Sequence, residues 1–227
     1  MARPVLRTRR IELRPMTLEH LPLLHQLDSD PEVMRHLVGR ARTPEEIEEF
    51  WRPRCLDTFA DAWGMGWWAG FEGDDFSGWW DLDPGDPRPA ARPEQAEIGW
   101  RLRRDCWGQG LATEGAGALL EYGFRTLQLA RVWAETMAVN VRSRSVMRKL
   151  GMSHVRSEVR EWQNPLPGSA EGEVIYEITA GEWQHRTGVK PEEHLTDRTQ
   201  IAKREASDHM SSYPSEIKNL HPGGSAR

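Results

Sequence analysis

The sequence predicts an α+β fold that contains a mixed sheet. Strand-like and helix-like segments follow one another in the order β-αα-βββ-α-β-α-ββ, which is typical of this class. A helix-like segment at 112–127 joins strand-like segments at 94–103 and 131–139, and such a crossover makes the two strands parallel neighbours. The 227 residues suffice for one large domain, or for a domain with an appendage.

The chain is predicted to begin with a strand and a helix. Residues 8–14 alternate between apolar and polar side chains, as in a half-buried strand, and Pro15 ends the pattern. Thr17 is an N-cap candidate, with His20 at the position where a capping box usually has Glu. Leucines at helical spacing follow these two residues, so the first helix starts here.

A second helix and a β-hairpin follow. The helix is predicted over 44–59, where acidic side chains near the start suit the helix dipole. The segments 66–72 and 76–82 flank a turn of acidic residues and glycine, which is typical of a hairpin. A loop rich in Pro, Asp and Arg at 83–93 leads to the next strand.

The end of the folded part is predicted to contain a short helix and two strands. The helix over 143–150 stops at Gly151, and the strands at 153–162 and 172–180 flank a Pro/Gly turn. Beyond these, the chain is polar and has little periodicity. We therefore expect a domain over 1–185 and a disordered tail over 186–227, with a short helix near 192–206 as the alternative for part of the tail.

Composition excludes several classes of protein. The net charge of −5 argues against nucleic-acid binding by bulk electrostatics. The two cysteines form no disulfide framework, and the eight histidines show no zinc-like spacing, so no metal is expected. The start of the chain lacks the apolar segment of a signal peptide, and no apolar run is long enough to cross a membrane. We expect a cytoplasmic protein without membrane contact.

A glycine-rich segment at Trp107–Ala112 lies between the strand at 94–103 and the helix at 112–127. Two glycines let backbone N–H groups turn toward a ligand, and the helix N-terminus adds partial positive charge. This combination favours an anion site, most naturally for a phosphate or pyrophosphate. Thr113 stands where a dinucleotide fingerprint has its third Gly, and no Gly-Lys-Ser/Thr follows as in a Walker A loop. The alternatives are an ordinary turn and a module for another nucleotide.

The segment from Glu97 to Met152 resembles the acetyl-CoA-binding core of the GNAT N-acetyltransferase superfamily. Trp107–Ala112 fits the motif [Q/R]-x-x-G-x-[G/A] except at its first position, where Trp107 replaces Gln or Arg. Ala112–Gly115 resembles the "ATEA" of the branch that acetylates the N-termini of ribosomal proteins. Asn140–Ser143 and Lys149–Met152 resemble the "N-x-x-S … K-L-G-F" ending of that branch. The spacing between these motifs also agrees.

The resemblance implies a mostly antiparallel twisted sheet whose two central parallel strands splay apart, often beside a bulge. The pantetheine arm of acetyl-CoA inserts between these strands, and the glycine-rich loop binds the pyrophosphate. The implied cofactor-binding residues lie on the strand, in the loop and at the start of the later helix. They are Ile98, Gly99, Trp100, Trp107, Gly108, Gln109, Gly110, Leu111, Ala112, Thr113, Asn140 and Ser143.

Acetyl transfer to an amine requires a base, stabilisation of the oxyanion and a proton for the leaving thiolate. Glu97 is the candidate base, since the resemblance places an acidic residue here that faces the acceptor. The alternatives are a surface carboxylate without a role, or Glu94 or Asp81 as the base.

The proton donor for the thiolate has two candidates. Asn140 and Ser143 complete the catalytic set, although Asn140 is also a natural helix N-cap. Met147 stands where many relatives have a Tyr acid, so Ser143 or water would protonate the thiolate.

The sequence therefore predicts an acetyl-CoA-dependent N-acetyltransferase that works by direct attack in a ternary complex. A ping-pong mechanism through Cys106 is the mechanistic alternative. A non-catalytic acyl-CoA-binding or sensor protein on the same fold is the alternative function. The acceptor is expected to be a small-molecule or peptide amine, and the protein a monomer or homodimer.

Several other residues have two interpretations. Trp63, Trp67, Trp68, Trp79 and Trp80 either pack in the core or form an aromatic wall for a cationic acceptor. Arginines near the loop and the later helix either bind the phosphates of acetyl-CoA or are only solvated; they are Arg103, Arg104, Arg142 and Arg144.

Overall fold

The computed structural model describes residues 2–57, 61–85, 93–161 and 164–189. The strands are β1 Leu6–Arg7, β2 Glu12–Pro15, β3 Gly66–Glu72, β4 Asp75–Asp83, β5 Gln95–Leu102, β6 Arg131–Met137, β7 Ser153–Glu158 and β8 Glu173–Thr179. The α-helices are α1 Leu21–Asp28, α2 Pro44–Cys55, α3 Leu111–Glu121, α4 Val141–Leu150 and α5 Ala180–Thr187.

The eight described strands form one sheet in the spatial order β1-β2-β3-β4-β5-β6-β8-β7. Every neighbouring pair is antiparallel except β5 and β6, which are parallel as the crossover through α3 requires. These two strands pair only where Gln95–Glu97 meets Arg131–Trp133. Beyond that point β5 and β6 are no longer paired. The predicted α+β class and the splayed parallel strands are confirmed.

Irregularities of register occur away from this opening. One lies between Gly70 and Phe71 in the β3–β4 hairpin, and another between His154 and Arg156 where β7 meets β8. The pairing of β4 with β5 is regular along six residue pairs. The splaying of β5 and β6 therefore does not coincide with a bulge in either of these strands.

The strand predicted over 8–14 is correct only at its end, where β2 begins at Glu12; residues 8–11 form a turn, and β1 lies before them. Thr8 accepts hydrogen bonds through its hydroxyl from the backbone N–H groups of Arg10 and Ile11, at 3.3 and 3.0 Å. Its own N–H donates to the Ile11 carbonyl oxygen at 2.9 Å, and these bonds close a turn. The alternation of apolar and polar residues did not indicate this turn, because Thr8 has high strand propensity.

The first two helical segments begin at capping boxes, and the one at Thr17 was predicted. The His20 ring nitrogen accepts a hydrogen bond from the Thr17 N–H at 3.0 Å, so His20 takes the place of Glu in the capping box. Helix α2 begins after Thr43, whose hydroxyl accepts a bond from the Glu46 N–H at 3.3 Å. It ends at Cys55, earlier than the predicted residue 59, and residues 58–60 lie outside the described residues.

The end of the domain contains a helix that the sequence analysis did not predict. Helix α5 runs from Ala180 to Thr187, across the predicted boundary at 185. Thr179 and Glu182 form a capping box at its start, and this Thr-x-x-Glu pattern was the available signal. The rest of the predicted tail, including the alternative helix near 192–206, lies outside the described residues.

The sheet separates two hydrophobic clusters. One cluster packs α3, α4 and the turn after α3 against residues such as Trp80, Ile98 and Val132. The other packs α1 and α2 against the opposite side chains of β3 and β4, with Trp51 at its centre. Alternation along a strand places Ile98 in the first cluster and directs Glu97 toward the α1–α2 face.

Candidate active site

The glycine-rich loop lies between β5 and α3. Gly108 (φ +75°) and Gly110 (φ +84°) have left-handed backbone conformations that glycine adopts without strain. A Cβ atom on Gly108 would meet nothing within 4 Å, so this part of the loop has an open side. Gly110, the N-cap residue of α3, has no side chain that could bond to the N–H groups of the first turn. These backbone N–H groups lie at the positive end of the helix. This arrangement is suited to bind a phosphate group.

Glu114 and Arg10 hold the loop against the β1–β2 turn. Glu114 Oε1 accepts hydrogen bonds from the Thr8 hydroxyl (2.6 Å) and from the Arg10 backbone N–H (2.8 Å). Its other oxygen accepts one from Arg10 Nε at 2.7 Å. Arg10 also donates to the Gln109 carbonyl oxygen at 3.0 Å. Burial alone raises the pKa of Glu114, but the bonds from Thr8 and Arg10 outweigh it, so the pKa lies below its ordinary value.

Trp107, the residue that departs from the motif, connects the loop to its surroundings. Its indole Nε1 donates a hydrogen bond to the Leu102 carbonyl oxygen at 2.8 Å, at the end of β5. The Arg142 guanidinium, from the first turn of α4, lies 4.7 Å from the centre of the indole ring. Trp107 therefore bridges the segments that follow the two splayed strands.

The remaining predicted loop residues have defined contacts. Gln109 donates through Nε2 to a backbone carbonyl four residues earlier, at 2.6 Å. Leu111 is buried in the core on the α3 side of the sheet. The Ala112 carbonyl oxygen accepts a hydrogen bond from Trp80 Nε1 at 3.1 Å, and Thr113 is half-buried. These contacts anchor the start of α3 to β4.

The opening between β5 and β6 begins after Glu97 and Trp133, the last paired residues. Ile98, Gly99 and Trp100 follow Glu97 on the strand that borders the opening. Ile98 is 2% exposed and Trp100 is partly buried against the same core, so the backbone rather than these side chains borders the opening.

Glu97 is half-buried near the place where the strands separate. It pairs across the sheet with Asp83 of β4 and with Trp133 of β6. Glu94, the alternative base, precedes β5 and is exposed, so it lies farther from the opening. Asp81, the other alternative, is buried in β4 opposite Gly99. Of these three carboxyls, Glu97 and Asp81 lie next to the part of β5 that does not pair with β6.

Asn140 and Ser143 form a helix cap at the end of the other splayed strand. The Asn140 side-chain oxygen accepts a hydrogen bond from the Ser143 backbone N–H at 3.2 Å. Its amide nitrogen donates to the Thr136 hydroxyl of β6 at 3.0 Å. The N-cap interpretation of Asn140 is confirmed. Met147 is 1% exposed in the core, so the position where many relatives have Tyr provides no proton donor.

The other predicted arginines already have partners in the protein. Arg103 forms an ion pair with Asp105, and the Arg104 guanidinium lies 3.8 Å from the Asp30 carboxylate. Arg144 donates to a backbone carbonyl at 2.8 Å. These contacts do not identify a phosphate ligand among them.

The packing interpretation of the tryptophans is confirmed for the hairpin. Trp67 and Trp79 make edge-to-face contacts with each other and with Trp51 of α2, with ring centres 4.7 to 5.5 Å apart. Trp68 and Trp80 are buried on the opposite face of the sheet. Because these four hairpin rings are at most 8% exposed, they do not form an open aromatic wall.

Cys106 precedes the loop but lacks the features of an activated nucleophile. Burial, and then the nearby Asp105 carboxylate, raise the pKa of its thiol above the ordinary value. Across the described ranges, no three His, Cys, Asp or Glu side chains come close enough to hold a metal ion. No described helix combines the length and hydropathy that crossing a membrane requires.

Comparison with known proteins agrees with this geometry. Residues 10–153 match the model of the acetyltransferase (GNAT) domain. The chain is 40% identical over 189 residues to the FsC-acetyl coenzyme A-N(2)-transacetylase of Aspergillus fumigatus, and the match covers 80% of this chain and 79% of the relative. The chain belongs to the GNAT acetyltransferase family. It is therefore an N-acetyltransferase.

Solved structures of GNAT proteins share the fold. The ribosomal L7/L12 alpha-N-protein acetyltransferase RimL, in complex with coenzyme A, superposes with a TM-score of 0.63 at 19% identity, covering 78% of this chain and 98% of RimL. A spermidine N-acetyltransferase from Vibrio cholerae, with coenzyme A and spermine, gives a TM-score of 0.62 at 16% identity, covering 78% and 99%. At these identities the likeness shows the fold alone.

Proposed function

We propose that this GNAT protein transfers the acetyl group of acetyl-CoA to a primary amine by direct attack in a ternary complex. The observation that carries the proposal is the opening between β5 and β6, which begins after Glu97 and lies next to the glycine-rich loop. A thioester arm between the strands and a pyrophosphate at the start of α3 fit these two features. Both solved relatives described above contain coenzyme A.

Glu97 is the proposed base. It is the half-buried carboxyl at the last paired position before the strands separate, and it faces the side of the sheet covered by α1 and α2. From there it takes a proton from the acceptor amine as the nitrogen attacks the thioester carbon. Direct attack is favoured over a covalent acetyl-enzyme because the raised pKa of Cys106 leaves its thiol poorly nucleophilic at neutral pH.

The proposed acetyl-CoA site contains the predicted loop and strand residues, with two modifications. Arg10 and Glu114 are added as residues that fix the loop from outside the motif. Asn140 acts by capping α4, and Ser143 is the candidate proton donor that the resemblance implies. The proposed acceptor is a small-molecule or peptide amine: a polyamine, an aminoglycoside or a protein N-terminus, as named for the structural neighbours, or an amino acid.

Calorimetric titration with acetyl-CoA tests the donor site, with ATP and NAD as controls. We expect micromolar binding of acetyl-CoA alone. Thiol release in the presence of spermidine, an aminoglycoside, ornithine or a short peptide then tests catalysis. Glu97→Gln should lower kcat about 10²- to 10⁴-fold and leave acetyl-CoA binding unchanged, whereas the control Glu94→Gln should have little effect on either.

The alternative predicted from the sequence, a non-catalytic acyl-CoA-binding protein, rests on Met147 in place of the tyrosine acid and disagrees with membership of the acetyltransferase family. It predicts acetyl-CoA binding without thiol release for any acceptor, and no difference between the wild type and Glu97→Gln. A folded protein that binds no acetyl-CoA would contradict both functions.

A further inference from the structure

Asp81 is a buried carboxyl without a role in the mechanism proposed above. It lies in β4, is 5% exposed, and pairs across the sheet with Trp67 of β3 and with Gly99 of β5. A Cβ atom on residue 99 would collide with Asp81 Oδ1. The carboxyl therefore stands over β5, in the space that a side chain at position 99 would occupy.

This position places two carboxyls side by side on the strand that borders the opening. Glu97 and Gly99 are two residues apart on β5, so they face the same side of the sheet. The Asp81 carboxyl over Gly99 is thus the next group after Glu97 along that face. Position 99 is the second residue after the last pair between β5 and β6.

Charged groups from several elements surround Asp81. Asp83 follows it on the same face of β4, and Glu97 lies on β5. Helix α2 contributes Arg54. Arg101 lies two residues beyond Gly99, and its guanidinium donates a hydrogen bond to buried Asp28 of α1 at 2.6 Å. The charge of Arg101 is therefore paired with Asp28.

These surroundings favour the protonated form of the carboxyl. Burial raises the pKa of Asp81 well above its ordinary value, and the carboxylates of Asp83 and Glu97 raise it further. Arg54 and a hydrogen bond from the Gly99 backbone N–H act in the opposite direction but do not reverse the shift. Glu97 is less buried, so a buried carboxyl that favours its protonated form lies beside a more accessible carboxyl.

Ser143 is the thiolate's proton donor only by resemblance, and Met147, which replaces the usual tyrosine acid, is buried in the core and has no proton to donate. We propose that Asp81 is the general acid of the acetyl transfer, and that its carboxyl over Gly99 gives its proton to the sulfur of the departing coenzyme A. This inference rests on the proposed function and names a residue that the motifs of the sequence do not contain.

The proton that Glu97 takes up balances the proton that Asp81 gives away. The amine nitrogen forms a bond to the thioester carbon, and the Glu97 carboxylate takes one N–H proton. The C–S bond breaks, its electron pair moves to sulfur, and the Asp81 proton goes to that sulfur. The products are the amide and the coenzyme A thiol. A proton then passes from Glu97 to Asp81, and both groups return to their starting states.

The test compares Asp81→Asn with the control Asp83→Asn. Asn has nearly the shape of a protonated Asp but cannot give up a proton, so acetyl-CoA binding and melting temperature should change little. We expect kcat to fall about 10²- to 10⁴-fold in Asp81→Asn and less than tenfold in the control Asp83→Asn. The wild-type kcat should fall as the pH rises through the raised pKa of Asp81, and this limb should be absent in Asp81→Asn. A loss of less than tenfold in Asp81→Asn, or a high-pH limb that is the same in Asp81→Asn as in the wild type, would overturn the inference.

Infrared spectroscopy supplies a measurement that needs no acceptor. A carbonyl band of a protonated carboxylic acid should be present at neutral pH in the wild type and in Asp83→Asn, and absent in Asp81→Asn. Absence of this band from the wild type refutes the acid role even if acetyl transfer is observed. Its presence together with a lack of acetyl-CoA binding refutes the proposed function instead, so the two failures are distinguishable.

Discussion

Replacing Asp28 with alanine is predicted to destabilise the fold by about 3–5 kcal/mol. Asp28 is the last residue of α1 and is fully buried. Its Oδ1 accepts a hydrogen bond from Arg101 at 2.6 Å, and its Oδ2 accepts one from Trp51 Nε1 at 2.9 Å. Arg42 lies 3.5 Å away from the same carboxylate. One carboxyl thus connects α1 to α2 and to β5, the strand that bears the candidate base.

The size of the predicted loss in stability follows from the buried groups that lose their partner in Asp28→Ala. Arg101 is 9% exposed, so the variant retains a buried guanidinium without its counterion, and this is the situation that costs several kcal/mol. The unpaired Trp51 N–H contributes about 1–3 kcal/mol of that loss. A domain stable by about 5–15 kcal/mol would remain folded in most of this range. With a urea m-value of about 2 kcal/mol per molar, the midpoint falls by about 2 M.

Urea unfolding followed by far-UV circular dichroism measures this loss. Asp30→Ala is the matched control, because Asp30 lies two residues away and has weaker contacts: a 3.8 Å pair with exposed Arg104 and a 2.9 Å hydrogen bond from the Glu32 N–H, so its removal should cost about 1–2 kcal/mol. The double variant Asp28→Ala/Arg101→Met should recover much of the stability, since it removes both buried charges. The reasoning is refuted if Asp28→Ala costs no more than Asp30→Ala, or if the double variant is no more stable than Asp28→Ala.

Three further predictions follow from other sites. Gly110→Val should weaken acetyl-CoA binding at least tenfold in calorimetry, while Gly73→Val, with a similar positive φ in the exposed hairpin turn, should leave binding unchanged; equal losses would contradict the loop assignment. Glu114 has a lowered pKa in the folded protein, so its stabilising effect is present above its unfolded pKa and is lost as the pH falls through the lowered value. Urea midpoints of the wild type and Glu114→Gln should therefore converge in acid, and a constant difference would refute this. Thr43→Ala should cost about 1 kcal/mol in the same assay through loss of the α2 cap, and a loss below 0.3 kcal/mol would contradict the cap.

Local patterns in the sequence predicted the local features of the site. The positive backbone angles of Gly108 and Gly110 and the start of a helix directly after them are consequences of adjacent residues, and a strand–Gly–helix pattern contains that information. The same holds for Asn140, whose capping bond joins residues three apart. Hairpin strands β3 and β4 also agree with the predicted segments to within one residue.

Features that depend on sheet register were beyond the sequence analysis. The contact between Arg10 and Glu114 joins residues 104 positions apart, and nothing near either residue indicates it. The sequence placed Asp81 only among the alternative bases, because its burial and its position over Gly99 arise from the pairing of β4 with β5. A one-residue change of register would have turned that carboxyl to the other face of the sheet.

The short contact between β5 and β6 has a consequence for how the protein unfolds. The described sheet has an N-terminal part, β1 to β5, and a C-terminal part, β6 to β8, and these parts meet along three residue pairs of β5 and β6. Each part contains chain-adjacent antiparallel strands, so each can act as a cooperative unit in native-state hydrogen exchange. A ligand arm held between β5 and β6 would contact both parts at once. Binding would then slow hydrogen exchange in both parts together, because the bound arm would connect β5 and β6 where these strands do not pair with each other.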